Sequence, residues 1–356
     1  MLNVLLSTGL ALIISYMLTP VMKKVGILVG AVDKPDHRKV HKGLMPRIGG
    51  VAVYFGFIVA ALLTQDLNGP VLGLLLSGTL IMLLGFVDDV KGISPKIKLL
   101  GQILAALVLV YFGVRVEFIT NPFTGGIISL GYLSIPVTLF WLTGVTNAVN
   151  LIDGLDGLAA GVSIIASVTL AVVAWMQGQF TAVYLALFLA AGTMGFLRYN
   201  FNPAQLFMGD CGSLFLGFNL GALAVMGLSK GATIISLFIP VVVLGIPIMD
   251  TLFAIVRRFS NKKPIFEADK GHLHHCLLQR GLSHKQTVLI IYAVTLLLGS
   301  SAVLLTMLTT AQSVLILIGI SAVVLVEANR IGVITGQKEP KRVQIHDQKA
   351  KHSIGG

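Results

Sequence analysis

Between Asn147 and Gly157 the chain reads NAVNLIDGLDG, which puts two amides and two carboxylates into eleven residues between two strongly apolar runs. An ionised side chain at the middle of a membrane helix costs about 2.5–3.5 kcal/mol on insertion scales, so such groups are retained where they serve a function. Carboxylate and amide oxygens are also the ligands that a hard cation such as magnesium prefers. The segment points to metal-assisted phosphate chemistry at a membrane surface. Three further clusters have the same character: Asp88 and Asp89 in GFVDDVKG, Asn200, Asn202 and Asp210 in RYNFNPAQLFMGDCGS, and His272, His274 and His275 in DKGHLHHC.

Each cluster also has a plainer reading. Asp156 and Asp210 precede apolar runs, where Asp is a favoured helix N-cap. Capping does not explain Asn147, Asn150, Asp153 and Asp156 at three-residue spacing, which lines them on one face if the helix continues through them. Asp88 and Asp89 end an apolar run, where adjacent anions repel each other and oppose the helix dipole; Lys91 offsets part of that repulsion. A DDxxD magnesium motif needs an acid at position 92, which is Gly92. The histidines with Cys276 lack a second ligand pair at zinc spacing, and imidazoles donate equally well to phosphate oxygens. Asp250, inside an apolar run, either lines the bundle or faces the cytoplasmic end near Arg257. The chain has no Walker A sequence and no GxGxxG fingerprint, and the Gly-Gly pair of PRIGG reads as a tight loop entering the next run.

The elements that must position these groups are membrane helices. Of the 356 residues 55% are hydrophobic and 12% charged, with a mean hydropathy of +0.90; a soluble domain carries about a quarter charged residues. Eleven apolar runs approach the roughly 20 residues that a spanning helix needs: 3–22, 49–65, 71–87, 97–113, 134–150, 157–176, 181–198, 213–229, 232–256, 286–308 and 312–329. The first ends in Lys23-Lys24 without a small-residue cleavage site, so it reads as a span. The expected fold is an all-α polytopic membrane protein, residues 1–330 forming one integral domain and 331–356 a polar, disordered tail.

Of the 26 Lys and Arg, all but Arg115 and Lys230 fall in alternate loops or the tail. The positive-inside rule then places the N-terminus outside and the C-terminus in the cytoplasm. The net charge of +11 is accounted for by this bias and by anionic headgroups, so it calls for no nucleic-acid partner. Both cysteines fall on the cytoplasmic side, where a disulfide is not expected. The outer loop, 114–134, alternates around Asn121–Gly126 and predicts a small external β-hairpin. All four polar clusters fall on the basic side, although none of their acids, amides or histidines entered the topology argument.

Together the motifs DKPDHRKVHKGLMPRIGG, GFVDDVKG, NAVNLIDGLDG, FMGDCGS and HLHH, in this order, resemble the polyprenyl-phosphate N-acetylhexosamine-1-phosphate transferases. That family includes the enzymes that start wall teichoic acid, enterobacterial common antigen and O-antigen synthesis, and the peptidoglycan translocase. The 33–50 loop and the HLHH form are similar to the GlcNAc-1-phosphate branch, and within it to initiators of the teichoic-acid linkage unit. The resemblance implies transfer of GlcNAc-1-phosphate from UDP-GlcNAc to undecaprenyl phosphate, with release of UMP, at the cytoplasmic face of a bacterial plasma membrane. It implies magnesium, for which manganese substitutes, held by Asp210 with Asn150. Asp88 and Asp89 would approach the lipid phosphate, with Lys98 at the phosphate entrance. Asp153, Asp156, Asn147, Asn200 and Phe207 would form the nucleotide pocket, Phe207 stacking on uracil. His272, His274 and His275 would hold diphosphate or sugar. The resemblance also implies a homodimer among membrane lipids. Two alternatives stay open: the same chemistry with UDP-GalNAc or UDP-MurNAc-pentapeptide, and a lipid or anion transporter, although transporters place polar groups at the membrane midplane.

Overall fold

The computed structural model describes residues 2–33, 44–120, 126–227, 238–262 and 271–334. In chain order the elements are α1 (Leu2–Leu28), β1 (Val32–Asp33), β2 (Met45–Pro46), α2 (Gly50–Thr64), α3 (Gly69–Lys91), α4 (Pro95–Tyr111), β3 (Phe118–Thr120), β4 (Ile127–Ser129), α5 (Ser134–Ile152), α6 (Leu158–Met176), α7 (Phe180–Asn200), α8 (Gly209–Met226), α9 (Phe238–Val243), α10 (Gly245–Ser260), α11 (Leu273–Gln279), α12 (His284–Leu305) and α13 (Thr310–Ile331). Each of the eleven apolar runs is helical in its described part. Among the described residues eight helices are long and apolar enough to cross a membrane, whereas α2, α4 and α10 are shorter.

The run 232–256 is not one helix. Its described part divides at Leu244 into α9 and α10. Pro247 explains the break: a proline ring clashes with the carbonyl four residues earlier inside a helix but is tolerated in a first turn. The short helix α11 was not anticipated; it carries His274 and His275, with His272 at its N-cap. Local chemistry sets other boundaries. Asn68 and Ser94 cap α3 and α4, each followed by proline in the first turn, and Ser283–Gln286 forms a capping box on α12.

Helices α6, α7 and α8 are the most buried and α13 the least. Helix α8 packs on α3 and α5, and α7 on α1, α2 and α6. Glycines allow the central backbones to touch, as small residues do between membrane helices. A β-carbon at Gly85 on α3 would lie 2.4 Å from the Asp210 carbonyl oxygen, and one at Gly50 on α2 would lie 2.0 Å from the Gly212 Cα. The PRIGG glycines thus serve close packing rather than a special turn; Gly49 has φ −61°. Outward-facing Leu315, Ile318 and Val323 on α13 and Leu5, Ile13 and Met17 on α1 are exposed, the apolar exterior a lipid-embedded bundle presents.

Strands β3 and β4 pair antiparallel, Ile119 opposite Ile128, which is the expected hairpin; its turn, 121–125, lies outside the described residues. A second two-stranded pairing, β1 with β2, was not foreseen. Most of the DKPDHRKVHKG motif, and the tail from 335 onward, also lie outside the described residues. Cys211 and Cys276 are buried on separate helices, α8 and α11.

Candidate active site

The site is built where the end of α3 meets the start of α8. Helix α3 stops at Gly92, whose φ of +68° suits glycine. Asp88 and Asp89 occupy its last turn, beside carbonyl groups that disfavour anions. The first turn of α8 offsets that penalty. Asp89 is buried, and its two oxygens accept from the amides of Asp210 and Cys211, each at 2.9 Å, with the Arg47 guanidinium 3.5 Å away. These are backbone donors that the start of a helix leaves without intrahelical partners. The junction admits only glycine at 209: its φ is +74°, and a β-carbon would lie 1.6 Å from the Arg47 carbonyl oxygen.

Asp88 turns the other way. Its Oδ1 accepts from the Ile93 amide at 2.7 Å, and its Oδ2 pairs with the Lys98 ammonium. Lys98, in the first turn of α4, also reaches Asp210 Oδ2 at 2.8 Å. Asn150, near the end of α5, donates to Asp210 Oδ1 at 2.6 Å and to Ser213 Oγ at 2.8 Å. Four helix ends therefore converge on Asp210. Lys98 and Arg47 balance the acids, rather than Lys91, which is exposed.

The continuous polar face expected over 147–156 does not form, because α5 ends at Ile152. Asn147 exchanges two hydrogen bonds with Gln102 on α4, at 2.7 and 3.2 Å, and donates to the Thr143 carbonyl; it ties α4 to α5. Asp153 is the half-buried C-cap of α5. Burial, then the negative charges of Asp210 and Asp89, pushes its carboxyl up to about 7. Neither Asp156 nor Asp210 is an N-cap, those positions being Gly157 and Met208. Asp156 Oδ2 instead accepts from Asn202 Nδ2 and the Ala204 amide, both at 3.0 Å. Asn200 is buried, bonded to the Gly157 amide at 3.0 Å and the Leu206 carbonyl at 3.1 Å. Asp156 and Asn200 thus pin the 153–157 turn to the 201–207 loop. Phe207, half-buried, is held by backbone bonds to Pro46 and Gly49.

The histidines reach this turn from the other side. His272 is bonded through Nδ1 to Asp250 Oδ2 at 2.8 Å, which resolves the open reading of Asp250. His272 and His274 lie parallel, ring centroids 6.0 Å apart, and His275 is 4.2 Å from His274. The His274 ring abuts Gly154, where a β-carbon would lie 2.5 Å from Nε2. Burial, reinforced by His275, pulls the His274 pKa down to about 3. Sequence reading missed Gln102 and Ser213 and counted Arg47 only toward topology. Nothing in their local sequence marks them, because their partners lie on other helices.

Asp88, Asp210 and the Asn150 amide offer oxygen donors of the kind magnesium takes. Among the described residues no three His, Cys, Asp or Glu side chains form a ready metal group. Magnesium is commonly bound by one or two carboxylates, with substrate phosphates and water completing its shell, so this donor set fits an ion arriving with a diphosphate.

Membrane-length helices with an acid–lysine cluster at converging helix ends define a multi-pass membrane protein suited to phosphate-bearing substrates. Residues 71–228 match glycosyl transferase family 4. The chain is 43% identical, over 86% of both chains, to a probable undecaprenyl-phosphate N-acetylglucosaminyl 1-phosphate transferase of Bacillus subtilis. It is 38% identical to a decaprenyl-phosphate N-acetylglucosaminephosphotransferase of Mycolicibacterium smegmatis, over 79% of this chain and 77% of the relative. It is also 32% identical to a phospho-N-acetylmuramoyl-pentapeptide-transferase of Halalkalibacterium halodurans, over 85% of this chain and 96% of the relative. The chain belongs to glycosyl transferase family 4.

Proposed function

We propose that the protein transfers GlcNAc-1-phosphate from UDP-GlcNAc to undecaprenyl phosphate, as the first membrane step of teichoic acid or a related wall glycan, with magnesium, at the cytoplasmic face of a bacterial plasma membrane. The observation that carries this reading is the Asp88–Lys98–Asp210–Asn150 cluster, in a chain whose relatives are named for this chemistry.

An oxygen of the lipid phosphate attacks the phosphorus that bears GlcNAc. A new phosphoanhydride forms, the old one breaks, and the bridging oxygen leaves with UMP. One anhydride replaces another, so the exchange is close to thermoneutral and needs no external energy. A phosphate monoester has a second pKa near 6, as in phosphoserine, so the acceptor is already mostly dianionic at pH 7 and a general base has little left to remove. Magnesium, which Asp210, Asp88 and Asn150 would hold, supplies charge neutralisation on the diphosphate and the departing UMP.

Each side chain has a task in this scheme. Lys98 donates to phosphate oxygens as charge builds in the transition state. Asp88 orients the acceptor. Asp89, occupied with the α8 amides, holds Asp210 in place. Asp153, at the edge of the cluster, and Phe207 face the nucleotide, and the histidines face diphosphate and sugar. Direct attack is favoured over an aspartyl-phosphate intermediate because Asp88, Asp89 and Asp210 are each already engaged by cations or amides.

The test uses the purified full chain in detergent with undecaprenyl phosphate, magnesium and radiolabelled UDP-GlcNAc. Label should move into the organic phase, cease with EDTA and return to water on adding UMP. Unlabelled UDP-GalNAc and UDP-MurNAc-pentapeptide should compete poorly. A folded protein that moves no label from UDP-GlcNAc, nor from either other donor when that donor carries the label instead, would refute the reading and favour transport.

A further inference from the structure

Helix α10 carries Asp250 and Arg257, seven residues apart and so on one face; both are buried. Asp250 makes two contacts with the histidine segment: Oδ1 accepts from the Leu273 amide at 2.7 Å, and Oδ2 meets His272 Nδ1 at 2.8 Å. The N-cap of α11 is His272, whose own side chain makes no capping bond, so α11 takes its capping acceptor from another helix. Arg257 closes the other side. Its guanidinium lies where a β-carbon on Gly271 would stand 2.3 Å from Cζ, and it also donates to the Val333 carbonyl beyond α13. Residues 271–273 are thus gripped between two charged groups of α10. From there the contact continues inward, His272 lying parallel to His274 and His274 abutting Gly154 beside Asp153.

We propose that Asp250 is a positioning residue for the nucleotide-sugar site: it sets the tautomer and ring plane of His272 and, through the parallel rings, seats His274 against the 153–157 turn. A carboxylate on Nδ1 keeps the proton there and leaves Nε2 to face its ligand, the arrangement by which outer partners orient metal-bound histidines. In that tautomer Nε2 is an acceptor, suited to a sugar hydroxyl. This inference rests on the transferase reading above.

Asp250→Asn separates positioning from folding. It keeps an oxygen for the Leu273 amide but presents an NH2 group to Nδ1, which forces the His272 proton onto Nε2. The variant should melt close to the wild type. Its KM for UDP-GlcNAc should rise about 10- to 100-fold, the range seen when outer partners of histidine ligands are removed, while KM for undecaprenyl phosphate stays put. In the Asp250→Asn background, His272→Gln should add little further loss, because both changes remove one function. Unchanged kinetics, an equal rise in both KM values, or losses that multiply independently would overturn the proposal. Should the Asn variant not fold, Asp250→Glu carries the test: its longer side chain displaces the ring, so KM for UDP-GlcNAc should rise selectively, and an unchanged KM would refute positioning. A folded wild type inert with UDP-GlcNAc overturns the transferase reading and this one with it; an active wild type with an indifferent Asp250→Asn overturns this one alone.

Discussion

Asp88 and Asp89 are adjacent in sequence, yet the structure divides their work, and the division is measurable. Replacing Asp89 by Asn keeps one acceptor for the α8 amides and turns an NH2 toward the other. One buried N–H is then left without a partner, which costs about 1–3 kcal/mol. Losing the negative charge at a helix start and beside Arg47 adds about 1–2 kcal/mol in a buried setting, for a total of about 2–5 kcal/mol. Asp88→Asn still accepts from Ile93 and leaves Lys98 paired with Asp210, so no buried group loses its only partner and the effect on stability should be smaller, about 1–2 kcal/mol. The Asp88 change should instead lower turnover about 100-fold or more, the scale of removing one group aimed at developing charge. Thermal melting in detergent and initial rates of label transfer, read on both variants, decide the matter. An Asp89→Asn protein that melts like the wild type but turns over poorly would refute the argument, as would an Asp88→Asn protein that melts as low as Asp89→Asn.

Lys98→Met should leave the acids of Asp88 and Asp210 facing each other and cut turnover at least 100-fold, with Lys98→Arg recovering part of it; equal rates for Met and wild type would remove Lys98 from the chemistry. For His274 the folded pKa near 3 lies below the ordinary 6.5, so the unfolded chain binds the extra proton between those values. Stability should fall as pH drops through 6.5, by up to about 1.4 kcal/mol per pH unit, and His274→Gln should flatten that slope; parallel melting curves against pH would contradict the burial. Asn147→Ala and Gln102→Ala should each destabilise by about 1–3 kcal/mol and together by less than their sum, measured as a double-mutant cycle of melting, with KM for UDP-GlcNAc unchanged; a selective rise in that KM would put Asn147 in the nucleotide pocket instead.

How much of this was legible in the sequence depends on the range of the interaction. Apolar runs near 20 residues, caps such as Asn68 and Ser283, and the alternation around Ile119 and Ile128 act over a few residues, and hydropathy and backbone chemistry determine them wherever the chain goes. The helical bundle, the hairpin and the four polar clusters could therefore be read directly. Which member of a cluster meets which partner could not. Asp88 and Asp89 look alike in sequence, and only the close approach of α3 to α8, permitted by Gly85 and Gly209, turns one toward Lys98 and the other onto the amides of Asp210 and Cys211. The three-residue spacing from Asn147 to Asp156 promised one face, but the chain leaves the helix at Ile152, and Asn147, Asn150 and Asp156 are each claimed by a different neighbour: Gln102, Asp210 and the 202–204 loop. Asp250 could not be assigned because its partners, His272 and Leu273, lie more than twenty residues away on another helix. Hydrogen bonds and ion pairs are short-ranged and directional, so they belong to whichever backbones the packing brings within 3 Å, and that is a property of the tertiary structure alone.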